Sequence, residues 1–207
     1  MTDLTAEQHR AKMERRKAVQ DQRLATMQDH KGLIIINTGN GKGKSTAGFG
    51  VAFRALGQDL RVAVVQFIKG AWLPGEVKLL QRLAAAEWQD QIFFRALGEG
   101  FTWETQDRDR DIALVSEAWQ LSQSLINSGN WDVVLLDEVN VAMKLGYLDS
   151  AVVSAGLAAK PEQVHVILTG RGAPQLLIDQ ADLVTEMTLV KHPFREQGIK
   201  AQCGIEY

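Results

Sequence analysis

A chain of 207 residues, 45% hydrophobic and 23% charged, has material for one well-buried globular domain with a short appendage, and two full domains would be cramped. A net charge of -2 and a pI near 6.1 argue against a nucleic-acid binder that relies on bulk positive charge and leave room only for a local basic groove, so any phosphate chemistry should be local. The single cysteine, Cys203, excludes an intramolecular disulfide and a metal-thiolate cluster. The N-terminus is polar and mixed in charge, without the apolar core of a signal peptide, and no later stretch reaches transmembrane length. The expectation is a soluble, cytoplasmic protein with neither a membrane nor a nucleic acid as partner.

The first thirty or so residues, among them Glu7, Arg10, Lys12, Glu14, Arg15, Arg16, Lys17, Asp21 and Arg23, are helix formers with sparse apolar positions. They are read as a helical extension over residues 1–31, either a solvated tail or a cover for a functional site. Residues 32–207 then form the main domain. Its first strand is Leu33-Ile34-Ile35-Ile36-Asn37, followed at once by Thr38-Gly39-Asn40-Gly41-Lys42-Gly43-Lys44-Ser45-Thr46. A β-branched run, a glycine-rich turn ending in Gly-Lys-Ser, and then a helix over 45–56 spell a phosphate-binding loop. Gly39, Gly41 and Gly43 let the backbone turn its N–H groups inward around phosphate oxygens. Lys44 adds a point charge at the outer phosphates, and the Ser45 hydroxyl is suited to Mg²⁺. Thr38 stands where the strict pattern has glycine.

Further along, Gly57 stops the helix and residues 61–67 read as the second strand. Residues 76–86 read as a helix, 92–94 as a short strand, 107–124 as an amphipathic helix, and 131–138 as an apolar strand ending in Asp137 and Glu138. A helix over 150–159, a strand over 163–168, a short helix over 174–179 and a strand over 183–190 complete the alternation. Continuous apolar strands are those buried on both faces, so the fold class is α/β, a mostly parallel sheet with helices on both sides.

Ligands of such sheets sit beyond the carboxyl ends of the strands, and four of these ends carry polar chemistry: the phosphate loop, Gln66-Phe67-Ile68-Lys69-Gly70, Asp137-Glu138, and Thr169-Gly170-Arg171-Gly172. Asp137 and Glu138 are either acids near a Mg²⁺ ion or a helix N-cap pair. Arg171, between two glycines, is either a guanidinium fork for phosphate or a plain turn residue, and Lys69 has the same two readings. Phe101 and Trp103, in the glycine-bearing loop Leu97-Gly98-Glu99-Gly100-Phe101-Thr102-Trp103-Glu104-Thr105, either face a flat ligand or serve the core or a dimer interface. His165, set among Val164, Val166 and Ile167, reads as a buried, hydrogen-bonded core histidine. His192 and Cys203 receive no role.

Together, the loop at 38–46, Val65-Gln-Phe-Ile-Lys-Gly70, Gly100-Phe-Thr-Trp-Glu-Thr105, Val134-Leu-Leu-Asp-Glu138, Thr169-Gly-Arg-Gly172, Val190-Lys-His192 and the closing Lys200-Ala-Gln-Cys-Gly-Ile-Glu-Tyr207 resemble, in order and spacing, the P-loop family of ATP:corrinoid adenosyltransferases. Ser45 stands where that family often has threonine. The resemblance implies a RecA-like P-loop domain in which the cobalt(I) of a reduced corrinoid attacks the 5′ carbon of ATP and triphosphate leaves, as alkyl transfer rather than hydrolysis. It implies that Gly39, Asn40, Gly41, Lys42, Gly43, Lys44, Ser45 and Thr46, with Arg171, hold ATP, and that Lys42 and Lys44 are the catalytic cations that stabilise the leaving triphosphate. Ser45 and Glu138 become the Mg²⁺ (or Mn²⁺) contacts with Asp137 behind them, and Phe101 and Trp103 the corrinoid face that excludes the lower axial cobalt ligand. A reduced flavoprotein as electron donor and a homodimer are implied too. The competing class is a small RecA-like ATPase or kinase in which Glu138 activates water or an acceptor hydroxyl; triphosphate as the sole ATP-derived inorganic product tells them apart, since an ATPase releases orthophosphate. A nucleotide-dependent interaction or nucleic-acid module ranks last, because the chain is mildly acidic and lacks the Asn-Lys-x-Asp guanine signature.

Overall fold

The computed structural model describes residues 5–27, 30–68, 74–86, 88–97 and 107–206. The chain divides into two units, Met1–Lys31 and Gly32–Tyr207. The first holds helix α1 (Ala6–Leu24), started by a capping box in which the Gln8 amide donates to Thr5 Oγ1 and the Thr5 amide donates to Gln8 Oε1. An Arg10–Glu14 pair four residues apart adds local support. None of its residues is buried, so this helix rests on local terms.

The second unit is a six-stranded sheet in the order β3-β2-β4-β5-β1-β6, with every neighbouring pair parallel. The strands are β1 (Ile34–Thr38), β2 (Val62–Gln66), β3 (Ile92–Ala96), β4 (Val133–Asp137), β5 (His165–Thr169) and β6 (Leu183–Glu186). The helices are α2 (Lys44–Leu56), α3 (Gly75–Ala84), α4 (Arg108–Asn127), α5 (Val139–Lys144), α6 (Ser150–Ala158), α7 (Gln175–Gln180) and α8 (Pro193–Gln197). Alternation along the strands splits the core in two. Ala63, Val65, Val134, Leu136, Val166 and Leu168 pack with Val115 and Trp119 of α4 and Val153 and Leu157 of α6. Val62, Val64, Val133, Leu135 and Ile167 pack with Phe49, Ala52 and Leu56 of α2 and Val77 and Leu80 of α3. The central strands β2 and β4 are buried along their whole length, the pattern their apolar runs require.

Register sets the strand ends level: Gln66 pairs with Asp137, Asn37 with Thr169, and Thr38 with Glu186. The bounds of the other expected elements of this unit shift by no more than about three residues from the sequence reading, and the sixth strand departs furthest. The sixth strand ends at Glu186 rather than running to residue 190, and all four of its residues are exposed. Beyond it the chain serves the phosphate loop instead of a neighbouring strand: the Met187 amide donates to Thr38 O, and Met187 O accepts from the Gly41 amide at 2.6 Å. Helix α5 was hidden by the apolar run of β4, which continues into Val139 and Val141. Helix α8 does carry local signals in Pro193 at its start and Gly198 at its end. No helix among the described residues is long and apolar enough to cross a membrane.

Candidate active site

The phosphate loop leaves the end of β1 and enters α2 at Lys44. Gly39 has φ 94°, and a Cβ placed on it would lie 2.5 Å from Met187 O and 2.7 Å from Met187 N. Only glycine combines that left-handed backbone with so close an approach. Gly43, at φ 102°, occupies the N-cap of α2 with no side chain capping the helix, so the first-turn amides keep their hydrogen-bonding capacity for an anion. Thr38, the departure from the strict pattern, is buried, and its Oγ1 accepts from the Ala173 amide at 3.1 Å. The residue that breaks the pattern ties the phosphate loop to the loop carrying Arg171.

Lys44 is buried and its Nζ donates to Gly41 O of its own loop. Burial, followed by the charge of Arg171, pulls its pKa below the ordinary lysine value, with Glu138 opposing and Lys42 adding to the depression. Ser45 is half-buried and Thr46 exposed in the first turn of α2. Lys42, by contrast, is exposed and pairs with Glu206. Asn40 and Arg171 line a cavity of about 420 Å³ together with Glu186, Thr188, Leu189, His192 and Arg195.

The two carboxylates at the end of β4 differ sharply. Asp137 is 1% exposed and has both oxygens engaged: Oδ2 accepts from Gln66 Nε2 at 2.9 Å and Oδ1 from Thr169 Oγ1 at 2.7 Å. Glu138 stands at the N-cap position of α5 with φ 60°, but its side chain caps nothing, so the pair does not act as side-chain caps. Its amide donates to Thr169 Oγ1 at 2.9 Å, and a Cβ on Gly170 would come within 3.3 Å of its Oε2. Left-handed backbone at a non-glycine residue costs on the order of 1–3 kcal/mol, so the surrounding contacts impose it. Burial and then the charge of Asp137 push the Glu138 pKa up to about 7, against the pull of Lys44 and Arg171.

No group of three or more His, Cys, Asp or Glu that could hold a metal by itself occurs among the described residues. Among the oxygen donors near the phosphate loop, the Ser45 hydroxyl at the start of α2 and the Glu138 carboxylate, whose charge acts on Lys44, form a set that suits Mg²⁺ when substrate phosphates complete it. A carboxylate whose pKa is raised to about 7 is one that a cation would restore to its charged form, so these residues fit the ion.

A sequence model of the family described as "ATP:corrinoid adenosyltransferase BtuR/CobO/CobP" matches residues 30–207. The chain belongs to the ATP:corrinoid adenosyltransferase family. Residues 1–24 match a further model, "Cob(I)alamin adenosyltransferase N terminal". Relatives named corrinoid adenosyltransferase include one from Sinorhizobium sp, 52% identical over 96% of this chain and 91% of its own length. Those from Pseudomonas aeruginosa and Escherichia coli K12 are 47% and 42% identical, over 97% and 99% of this chain and 96% and 100% of their own.

Of the positions carried over from this family, Lys44, Arg171 and Glu138 are coupled electrostatically, and Asn40 joins Arg171 at the cavity. Phe101, Trp103 and Lys69 lie outside the described residues. His165 is half-buried rather than buried, with Nδ1 accepting from the Leu33 amide at 3.1 Å, and burial followed by Lys160 lowers its pKa. Sequence reasoning gave no role to Gln66 and Thr169, which fix Asp137, or to His192 and Arg195, which line the cavity. Pro193 and Gly198, which bound α8, were the local signals near the last two; the partners of Asp137 become visible only when three strand ends meet.

Proposed function

We propose that this protein transfers the 5′-deoxyadenosyl group of ATP to the cobalt(I) of a reduced corrinoid, in adenosylcobalamin synthesis or salvage. The observation that carries the reading is the uncapped, glycine-built nest at 39–46 with Lys44 and Arg171 coupled to Glu138, in a chain of this family. Cobalt(I) of the substrate donates an electron pair to C5′, the C5′–O bond breaks, and triphosphate leaves with that bond's electrons. No proton moves in this step, so the chain's task is to stabilise developing negative charge rather than to supply a base. Lys42, Lys44, Arg171, Asn40 and the loop amides over 39–46 bind the triphosphate. Bound Mg²⁺ (or Mn²⁺) supplies further neutralisation of that charge. Ser45 and Glu138 would hold the ion, with Asp137, anchored by Gln66 and Thr169, fixing the end of β4 behind them.

Phe101 and Trp103 line the corrinoid face and exclude the lower axial ligand, which makes cobalt(II) easier to reduce, and a separate reduced flavoprotein supplies the electron. The protein works as a homodimer in the cytoplasm. Support for self-association comes from exposed apolar residues on β6 and after it, Leu183, Val184, Val190, Phe194 and Ile205.

The deciding experiment is an anaerobic assay with ATP and chemically reduced cobalamin. Triphosphate should be the sole inorganic product, mole for mole with alkylated corrinoid; corrinoid-independent orthophosphate release would overturn the reading. For Trp103→Ala, the reaction from cobalt(II) plus reductase should collapse while that from pre-reduced cobalt(I) suffers much less. Equal losses in both assays with a large fall in melting temperature would make Trp103 a packing residue.

A further inference from the structure

The segment Lys200-Ala-Gln-Cys-Gly-Ile-Glu206 reaches back to the phosphate loop. A turn at its end, with the Ile205 and Glu206 amides donating to Gln202 O, carries Glu206 to Lys42, 164 residues earlier in the chain, where carboxylate and ammonium form an ion pair. The Lys42 side chain is 56% exposed and that of Glu206 only 14%. The hydrogen bond from Lys42 holds the Glu206 carboxyl below its ordinary value, and the charges of Lys42 and His192 act in the same direction. Glu206 is thus an anion set against a loop whose glycine turn, uncapped helix start and lysines are suited to anions.

A polyphosphate reaching Lys42 meets this carboxylate as a like charge, so the two cannot both hold the ammonium without repulsion. We propose that Glu206 is a built-in counter-anion of the phosphate loop, displaced from Lys42 when a polyphosphate binds and returning to Lys42 to speed release of the triphosphate product. The inference rests on the phosphate-loop reading given above. An exposed ion pair shifts equilibria by about fivefold at most, too little to staple the segment but enough to bias an exchange of anions.

Calorimetric titration of the full chain with inorganic triphosphate tests it. Glu206→Gln and Glu206→Ala should bind about two- to fivefold tighter than wild type at low ionic strength. The gain should shrink with added salt and vanish on a Lys42→Ala background, and triphosphate dissociation should slow by the same factor. Unchanged or weaker binding in both variants overturns the proposal, as does the same gain without Lys42. A fall in melting temperature with no gain in affinity makes Glu206 a staple for the C-terminal segment and also overturns it. If wild type binds triphosphate and Lys44→Ala abolishes binding while Glu206→Gln is neutral, the exchange alone fails. If wild type fails to bind triphosphate, the phosphate-loop reading fails and takes the exchange with it.

Discussion

Glu138 is held in left-handed backbone, half-buried beside Asp137, with its pKa raised to about 7 from an ordinary 4.5. Because the folded state keeps a proton that the unfolded chain has released, this group's contribution to stability is greatest below about pH 4.5. It is lost as pH rises through about 7. Glu138→Gln removes that penalty. In chelator it should melt above wild type at pH values over 7, by on the order of 3 kcal/mol at most, with the difference vanishing toward acid. Function should move the other way: Mg²⁺-dependent ATP affinity in wild type should rise with pH toward and through about 7, whereas the glutamine variant should bind weakly and without pH dependence. An unchanged metal requirement in the variant would return Glu138 to a structural role. Lys44 lies buried against its own loop carbonyl with a lowered pKa, the arrangement of a cation awaiting an anionic partner. Lys44→Ala should abolish adenosyl transfer, and its far-ultraviolet circular dichroism should remain that of wild type. Near-normal turnover would remove the loop from the chemistry.

At the scale of elements, the site is a set of strand ends stitched together. Thr38 binds the β1 loop to the β5 loop, Thr169 bridges Asp137 and the Glu138 amide, and Met187 braces the phosphate loop through Gly41. These contacts explain why the glycines are irreplaceable where the chain after β6 passes closest. Gly39→Ala sets a Cβ against the Met187 backbone at an already left-handed position, so either the loop or that chain must shift. A loss of about 1–3 kcal/mol is expected in urea unfolding, with a fall in ATP affinity because the nest opens. Wild-type affinity in a normally stable Gly39→Ala protein would show that the loop tolerates that shift.

For the whole molecule, the division at residue 31 has an energetic basis. The second unit contains both apolar clusters, and α1 buries no residue despite carrying Met13, Val19 and Leu24. Removing residues 1–31 should therefore leave the melting temperature and urea midpoint of 32–207 close to those of the full chain. A fall of several degrees would mean that the extension contributes to the fold of the larger unit.

The glycine-rich loop, its lysines, the helix behind it and the acids closing an apolar strand were legible because each is written in a few consecutive residues whose chemistry is local. The alternation of strands and helices was legible too, since burial on both faces leaves continuous apolar runs such as Val133-Val134-Leu135-Leu136. The place of β1 between β5 and β6 was not, because many pairings of similar apolar strands satisfy the same local pattern and only their joint packing with helices selects one. That order brings Arg171 and Glu138 beside Lys44, engages both oxygens of Asp137 while those of Glu138 cap no helix, and turns the chain at Glu186 to brace the loop. Glu206 and Lys42 are the extreme case, since no spacing rule links residues 164 apart and their meeting is decided by the tertiary fold alone.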